Sequence, residues 1–274
     1  MKITKMHGAR NDFVIVDRRH DGRVDLARFA QWACDRRAGI GADGVIAIES
    51  SSVAGVRMRT INADGSEAEM CGNGVRCAAR WLDEAGEGAS VTFETGAGLI
   101  CTEIVSRGPE YAVRVAMGRP AVTQLSSFDC AQDDDCAQDD KDDNAWFVDL
   151  GNPHVVLVRS SLDDVDLESM AEEFQKDSRF PNGTNVHVAR LQGRQTMRVA
   201  HWERGVGLTM ACGTGAVACA AVAIANKTAT SPIEVFVPGG RLVVEWDGTG
   251  NAYLTGPAVR VFDTDVKLDD ELAR

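Results

Sequence analysis

Residues 68-AEMCGNGVRCAARWL-82 and 209-TMACGTGAVACAAVAIA-225 carry one device twice: a cysteine, two glycines around a polar residue, then a helical apolar run. Cys71 and Cys212 lie 141 residues apart. Shifting the chain by that amount superimposes other features. Asn11 of NDFVIVD falls on Asn152 of NPHVVLV, and Gly44 of GADGVIAI on Asn185 of NGTNVHVA. Asn62 falls on Glu203, and Gly72 and Gly74 on Gly213 and Gly215. Two residues further out of step, FETGAGL at 93–99 meets FVPGGRL at 236–242. Several matches at one offset, each beside a similar apolar run, indicate an internal repeat.

Each half is therefore expected to fold alike. NDFVIVD, GVIAI, VRMRTINA, ASVTFET, GLICTEIV and YAVRVAM read as strands, being rich in β-branched residues and bounded by turn formers. HVVLVR, NVHVAR, QTMRVAHWE, IEVFVP, GRLVVEW and AYLTG repeat the pattern. Helices are expected over 25–37, 73–85 and 214–226. The last is apolar all round and should be buried. The helix after Cys71 carries Arg76 and Arg80, so part of it should reach a surface or interface. The fold class is α+β, with two pseudo-symmetric domains, each a mainly antiparallel sheet wrapped around a central helix. The expected domains are 1–118, with 261–274 returning to it, and 119–260. The active site is expected in the inter-domain cleft, a usual place for small-ligand sites.

Composition sets limits on partners. The chain has 274 residues, is 44% hydrophobic and carries a net charge of −12. Most of that charge is local, because 129-DCAQDDDCAQDDKDD-143 holds eight Asp and one Lys. No basic stripe is present to meet phosphates, so no nucleic acid is expected. The acidic tract reads as a solvated, mobile loop and lacks the glycine-turned spacing of a calcium loop. Apolar runs are short and broken by charge, which argues against a membrane span. The opening MKITKMHGARNDF has no apolar signal region, so the expected location is cytoplasmic. The eight cysteines lack C-x-x-C spacing, so neither structural zinc nor another metal is expected. Cys34, Cys77, Cys101 and Cys219 are assigned to packing.

A cysteine at a helix start has a particular chemistry. The helix N-terminus offers unpaired N–H groups and partial positive charge, glycines allow close approach, and a thiol there becomes more acidic. One such cysteine could be a nucleophile, a redox thiol or a buried small residue. Two related by a repeat suit moving a proton off one face of a carbon and onto the other. One must then be thiolate and the other thiol, with the helix-end donors holding an α-carboxylate as it gains enolate character.

With these residues in hand, the sequence resembles the diaminopimelate epimerase family. The resemblance runs from KMHGARNDFVIVD to LTGPAVRVF and rests on five motifs in family order: GARNDF, INADGSEAEMCGNGVRC, GNPHVV, FPNGTNV and ERGVGLTMACGTGA. It implies a cofactor-independent, two-base isomerase that interconverts LL- and meso-diaminopimelate on the route to lysine and peptidoglycan. It makes Cys71 the proton donor and Cys212 the acceptor in the LL-to-meso direction. Gly72, Asn73, Gly213 and Thr214 would supply donors to the α-carboxylate. Asn11, Asn62, Asn152, Asn185 and Arg204 would hold the amino and distal carboxylate groups. Glu203 would hold the α-ammonium and, with His154, help set the thiol protonation states. The resemblance also implies a homodimer and a small-molecule substrate.

Three positions depart from the family pattern. Arg10 stands beside Asn11, Gly44 replaces a common glutamine, and Leu208 replaces the usual acidic residue after ERG. A proline- or hydroxyproline-type racemase is the nearest rival, and Arg204 argues against it because a second carboxylate needs a partner. Residues 39-GIGADG-44 match a dinucleotide-binding pattern, but follow a helix and open a strand, the reverse of what that motif requires.

Overall fold

Strand-forming runs and cysteine-started helices alternate as the repeat predicts in the computed structural model, which describes residues 1–20, 24–125, 145–163 and 165–267. The acidic tract 129–143, with Cys130 and Cys136, lies outside the described residues. The chain divides into two units. The first is Met1–Met117, Gly239–Leu242 and Tyr253–Arg274, and the second is Gly118–Pro238 and Val243–Ala252.

In the first unit the elements are β1 (Lys2–Gly8), β2 (Asn11–Asp17), α1 (Leu26–Cys34), β3 (Gly44–Glu49), β4 (Val56–Asn62) and β5 (Glu67–Ala68). Then come α2 (Gly72–Glu84), β6 (Ser90–Thr95), β7 (Gly98–Ser106) and β8 (Ala112–Ala116). The second unit holds β9 (Ala121–Gln124), β10 (Ala145–Asp149), β11 (Pro153–Val158), α3 (Leu167–Lys176), β12 (Asn185–Leu191) and β13 (Thr196–Glu203). It continues with β14 (Gly207–Thr209), α4 (Gly213–Ala225) and β15 (Ile233–Val237); β16 (Gly240–Glu245) crosses the boundary between the units. The chain then returns to the first unit as β17 (Tyr253–Pro257) and β18 (Val259–Asp265). This return begins ahead of the expected residue 261, because Tyr253 already pairs with Ala116 and Pro257 with Ala112.

The strands of the first unit run β18–β1–β2–β3–β4–β6–β7–β8–β17, with β5 added to β4. Those of the second run β9–β10–β11–β12–β13–β15, with β14 added to β13. Most pairings are antiparallel, as expected. The β2–β3, β4–β6, β11–β12 and β13–β15 pairs are parallel, so each sheet is mixed.

The repeat holds at the level of register. Phe13 pairs with Gly44, and His154 with Asn185. Thr60 pairs with Ala68, and His201 with Thr209. Each second pair is the first moved by 141 residues. At the later strands the slip is one residue, since Val56 pairs with Phe93 while Met197 pairs with Val235.

Strand alternation sorts side chains between two helical layers. In β3, Val45 and Ala47 join the cluster with Phe29 and Ala30 of α1, whereas Ile46 meets Gly74 of α2. In β12, Val186 and Val188 join Ala171 and Phe174 of α3, whereas His187 meets Gly215 of α4. Asp25 and Asp166 cap α1 and α3, accepting from backbone N–H groups of the first turn. Among the described residues, no helix is long and apolar enough to cross a membrane.

The expectation that part of the helix after Cys71 reaches a surface holds for Arg80 and not for Arg76. Arg76 does not reach a surface but is 0% exposed. Its guanidinium donates to Gly72 O at 3.0 Å, Asn73 Oδ1 at 2.7 Å and Pro257 O at 3.2 Å. Burial lowers its pKa to about 10, and its charge is felt by Cys77 and Cys71. A Cβ on Gly256 would stand 2.6 Å from Leu242 Cδ2 and 3.0 Å from Arg76 Nε, so a side chain there would have to displace both. Arg76→Met strips donors from two buried acceptors and the partly buried Pro257 carbonyl, and should destabilise the protein by roughly 3 kcal/mol, read by urea unfolding. Arg80 is the partly exposed one, bonding Glu84 and the Ala258 carbonyl. Cys101 is also corrected: it is exposed on β7, while Cys34, Cys77 and Cys219 are buried.

Candidate active site

Each unit carries a cysteine at a helix start. In the first, Cys71 is the N-cap of α2, and Gly74 N–H donates to its Sγ at 3.4 Å. Its thiol points to Asn11 Oδ1 at 3.7 Å. Asn73 Nδ2 donates to the same oxygen at 3.1 Å, while Asn11 Nδ2 donates to Asp43 at 2.8 Å. Asp43 can only accept, so the Asn11 amide is held with its carbonyl toward Cys71. Asn62 closes β4 and donates to Ser66 Oγ at 3.0 Å. Gly44 opens β3; a Cβ there would stand 2.8 Å from the Ile61 carbonyl, so any larger residue requires a backbone shift. The 39–44 glycines form the link from α1 to β3 and open no helix.

In the second unit, Cys212 is the N-cap of α4, with Gly215 N–H donating to its Sγ at 3.4 Å and Thr214 Oγ1 at 3.5 Å. Cys212 is buried, whereas Cys71 is partly exposed. Burial pushes the Cys212 thiol well above its usual value, the Glu203 carboxylate adds to this, and the Thr214 and Gly215 contacts oppose it. Glu203 also hydrogen-bonds the thiol. Gly72, Asn73, Gly213 and Thr214 occupy the first helical positions, where backbone N–H groups lack intrahelical partners.

Around Cys212 the predicted residues divide by role. Asn185 Nδ2 donates to Pro153 O at 2.9 Å and its Oδ1 accepts from Arg204 N–H at 3.0 Å, so its amide ties β11 to the turn after β13. The Arg204 side chain is exposed, bonds the Asn182 carbonyl at 2.9 Å and makes no ion pair among the described residues. It is free to grip a carboxylate. Leu208 is 57% exposed beside exposed Val206 and Met210.

His154 is fully buried and bonds Asn152 Oδ1 through Nε2 at 2.9 Å. Its other nitrogen meets His187 Nε2 at 2.8 Å, and His187 Nδ1 meets His201 Nδ1 at 2.9 Å. Burial holds His154 and His201 down at about 3, and His187 well below its usual value, so all three are neutral. Sequence reasoning missed His187 and His201. Their signal was histidine on three consecutive inward strand positions of one half. Among the described residues, no group of three or more His, Cys, Asp or Glu could hold a metal ion.

The sequence model for Diaminopimelate epimerase matches residues 3–123 and 146–261. A diaminopimelate epimerase of Caldanaerobacter subterraneus is 38% identical over 98% of this chain and 100% of its own. One from Sphingopyxis alaskensis is 39% identical over 96% of each. Among solved structures, a PhzF-family phenazine biosynthesis protein of Bacillus anthracis superposes with TM-score 0.75, at 19% identity over 98% of this chain and 99% of its own. A hydroxyproline epimerase of Agrobacterium vitis gives 0.71, at 16% identity over 100% and 94%.

Proposed function

The chain belongs to the diaminopimelate epimerase family, and from that premise we propose that Cys71 and Cys212 are its two bases. It is an isomerase of lysine biosynthesis that epimerises LL-2,6-diaminopimelate to meso-diaminopimelate. The observation that carries the two-base reading is the repeated N-cap: two thiols, each on a glycine-started helix, in the same register of the repeat.

In the LL-to-meso direction, Cys212 thiolate takes the α-proton. The Cα–H bond breaks, an S–H bond forms, and the electron pair is held as an enolate-like carboxylate. The Cys71 thiol then gives its proton to the opposite face. The helix-start N–H groups of Gly72, Asn73, Gly213 and Thr214 receive the carboxylate, each well-placed donor contributing roughly 2.7–4 kcal/mol. In the free protein, burial and Glu203 favour Cys212 as the thiol. The proton must leave before Cys212 can act as the base: the hydrogen-bonded Glu203 carboxylate takes it and passes it to solvent, which returns Glu203 to its charged form. Glu203 then meets the α-ammonium, with His154 helping to set the thiol states. Asn11, Asn62, Asn152 and Asn185 line the sites for the amino and distal carboxylate groups, and Arg204 forks the distal carboxylate. On the family resemblance, we also take it to be cofactor-independent, homodimeric and cytoplasmic.

The test is incubation of reduced protein with LL-diaminopimelate in D₂O, followed by chiral chromatography and mass spectrometry. Meso product carrying one solvent deuterium at the inverted carbon is expected. Inversion with the original hydrogen retained would overturn the two-base route. Turnover of proline in place of diaminopimelate would move the chain to the rival racemase class.

A further inference from the structure

The second unit buries three imidazoles that the repeat does not need. Moving 141 residues back from His154, His187 and His201 gives Phe13, Ile46 and Thr60, which are also buried. The first unit therefore builds the same register with two apolar side chains and a hydroxyl. The fold alone does not demand imidazoles at these positions.

Proton counting assigns what the imidazoles do. A neutral imidazole carries one N–H and one bare lone pair. Three neutral rings in a row, ending on Asn152, permit only two polarities. In the first, His201 Nδ1–H donates to His187 Nδ1, His187 Nε2–H to His154 Nδ1, and His154 Nε2–H to Asn152 Oδ1. The chain then ends on a bare His201 Nε2. In the second, every bond reverses, the Asn152 amide turns over, and the chain ends on an N–H at His201 Nε2. That terminal atom is buried and has no hydrogen-bond partner among the described residues. A buried N–H without an acceptor is the rarer defect. Asn152 also faces His154 with its oxygen, and Nδ2 makes no hydrogen bond among the described residues. Both observations select the first polarity. The first turn of α4 stands directly on the middle ring: a Cβ on Gly215 would lie 2.5 Å from His187 Cε1. Its positive helix end disfavours charging the chain.

We propose that His187 and His201 are positioning residues that lock Asn152 as a hydrogen-bond donor, so that it receives a carboxylate oxygen of the substrate and not an ammonium. This rests on the reading of Asn152 as a substrate-binding residue. The tautomer pattern is tested first, without substrate, on ¹⁵N-histidine protein by long-range ¹H–¹⁵N correlation. His154 and His187 should be in the Nε2–H form and His201 in the Nδ1–H form. Two Nδ1–H rings, at His154 and His187, would overturn the proposal.

Kinetics supply the second arm. His201→Asn keeps a donor where Nδ1 stood, and His201→Phe removes it. His201→Phe should raise KM about ten-fold with kcat within about three-fold, the effect of losing one hydrogen bond to a charged group. His201→Asn should bring KM back to within about three-fold of the parent. Equal behaviour of the two variants, whether normal or impaired, would refute a positioning role. If the parent protein epimerises nothing, the assigned reaction fails and the carboxylate assignment falls with it. The tautomer spectrum still decides the chain.

Discussion

Cys71→Ser and Cys212→Ser are each expected to lower epimerisation of LL-diaminopimelate by roughly 10²–10⁴-fold, the usual contribution of a positioned acid or base. A serine hydroxyl keeps the size and the N-cap preference, so the helix starts should survive. It does not ionise as a thiol does, so the proton transfer should not. Two groups acting on opposite faces of one carbon in a single inversion are a unit, and losses within a unit do not add. The double variant should therefore be about as slow as the slower single one. Chiral chromatography of each variant, with circular dichroism to confirm folding, measures this. A single variant with near-parental rate would exclude that cysteine as a base. Losses that multiply in the double variant would mean the two thiols act independently of one another.

Acid should unfold this protein steeply between pH 6.5 and 5. His154, His187 and His201 are neutral and buried, with folded pKa values depressed, two of them to about 3. Above pH 6.5 these imidazoles are neutral in both states and their titration contributes nothing. As pH falls below the unfolded value, the unfolded chain takes up protons that the folded protein refuses, and stability is lost until the folded pKa is reached. Each ring loses about 1.36 kcal/mol per pH unit, so three together lose roughly 4. By pH 5 the loss reaches roughly 6 kcal/mol, a large share of a typical stability of about 5–15. Paired carboxylates do not contribute in this window; Asp12, held at about 2 mainly by Arg36 and Lys5 against burial, loses its charge only in stronger acid. Thermal melts from pH 7.5 to 5 check the slope, which should be shallower by about one third in His201→Phe. A flat profile would contradict the burial of neutral rings.

The repeat made much of this fold legible. The offset set by Cys71 and Cys212 is the offset of the strand registers, because helix-start and strand-end residues are fixed by backbone needs that recur in each half. The same offset moves α1 onto α3 and Asp25 onto Asp166, yet α3 went unread. Its sequence LESMAEEFQK is mostly polar, and only Leu167, Ala171 and Phe174 are buried, at a spacing of four and three. Arg76 was misread because its burial is made by distant chain: the Pro257 carbonyl and the missing side chain of Gly256. His187 and His201 were legible only as isolated histidines. They become a chain when parallel β11–β12 and antiparallel β12–β13 set them side by side. Asn185 was read as a substrate ligand, and its amide serves first to fix Arg204 and Pro153.

The first unit is closed by strands from early and late in the sequence, β1 with β18 and β8 with β17. Lys2 pairs with Asp265, the Met1 amino group bonds the Val266 carbonyl, and β8 is covered by β17. Synthesis on the ribosome delivers those last strands only after the whole of the second unit has emerged. The earliest-made segments must wait, partly assembled, while the later ones can already fold. Arg76 has its Pro257 acceptor only once β17 has docked, so the platform beneath Cys71 is finished only after the second unit has been made. Cys71, the first of the two helix-start thiols to be made, is thus the last to acquire its surroundings, and a chain that stops before β17 cannot complete them.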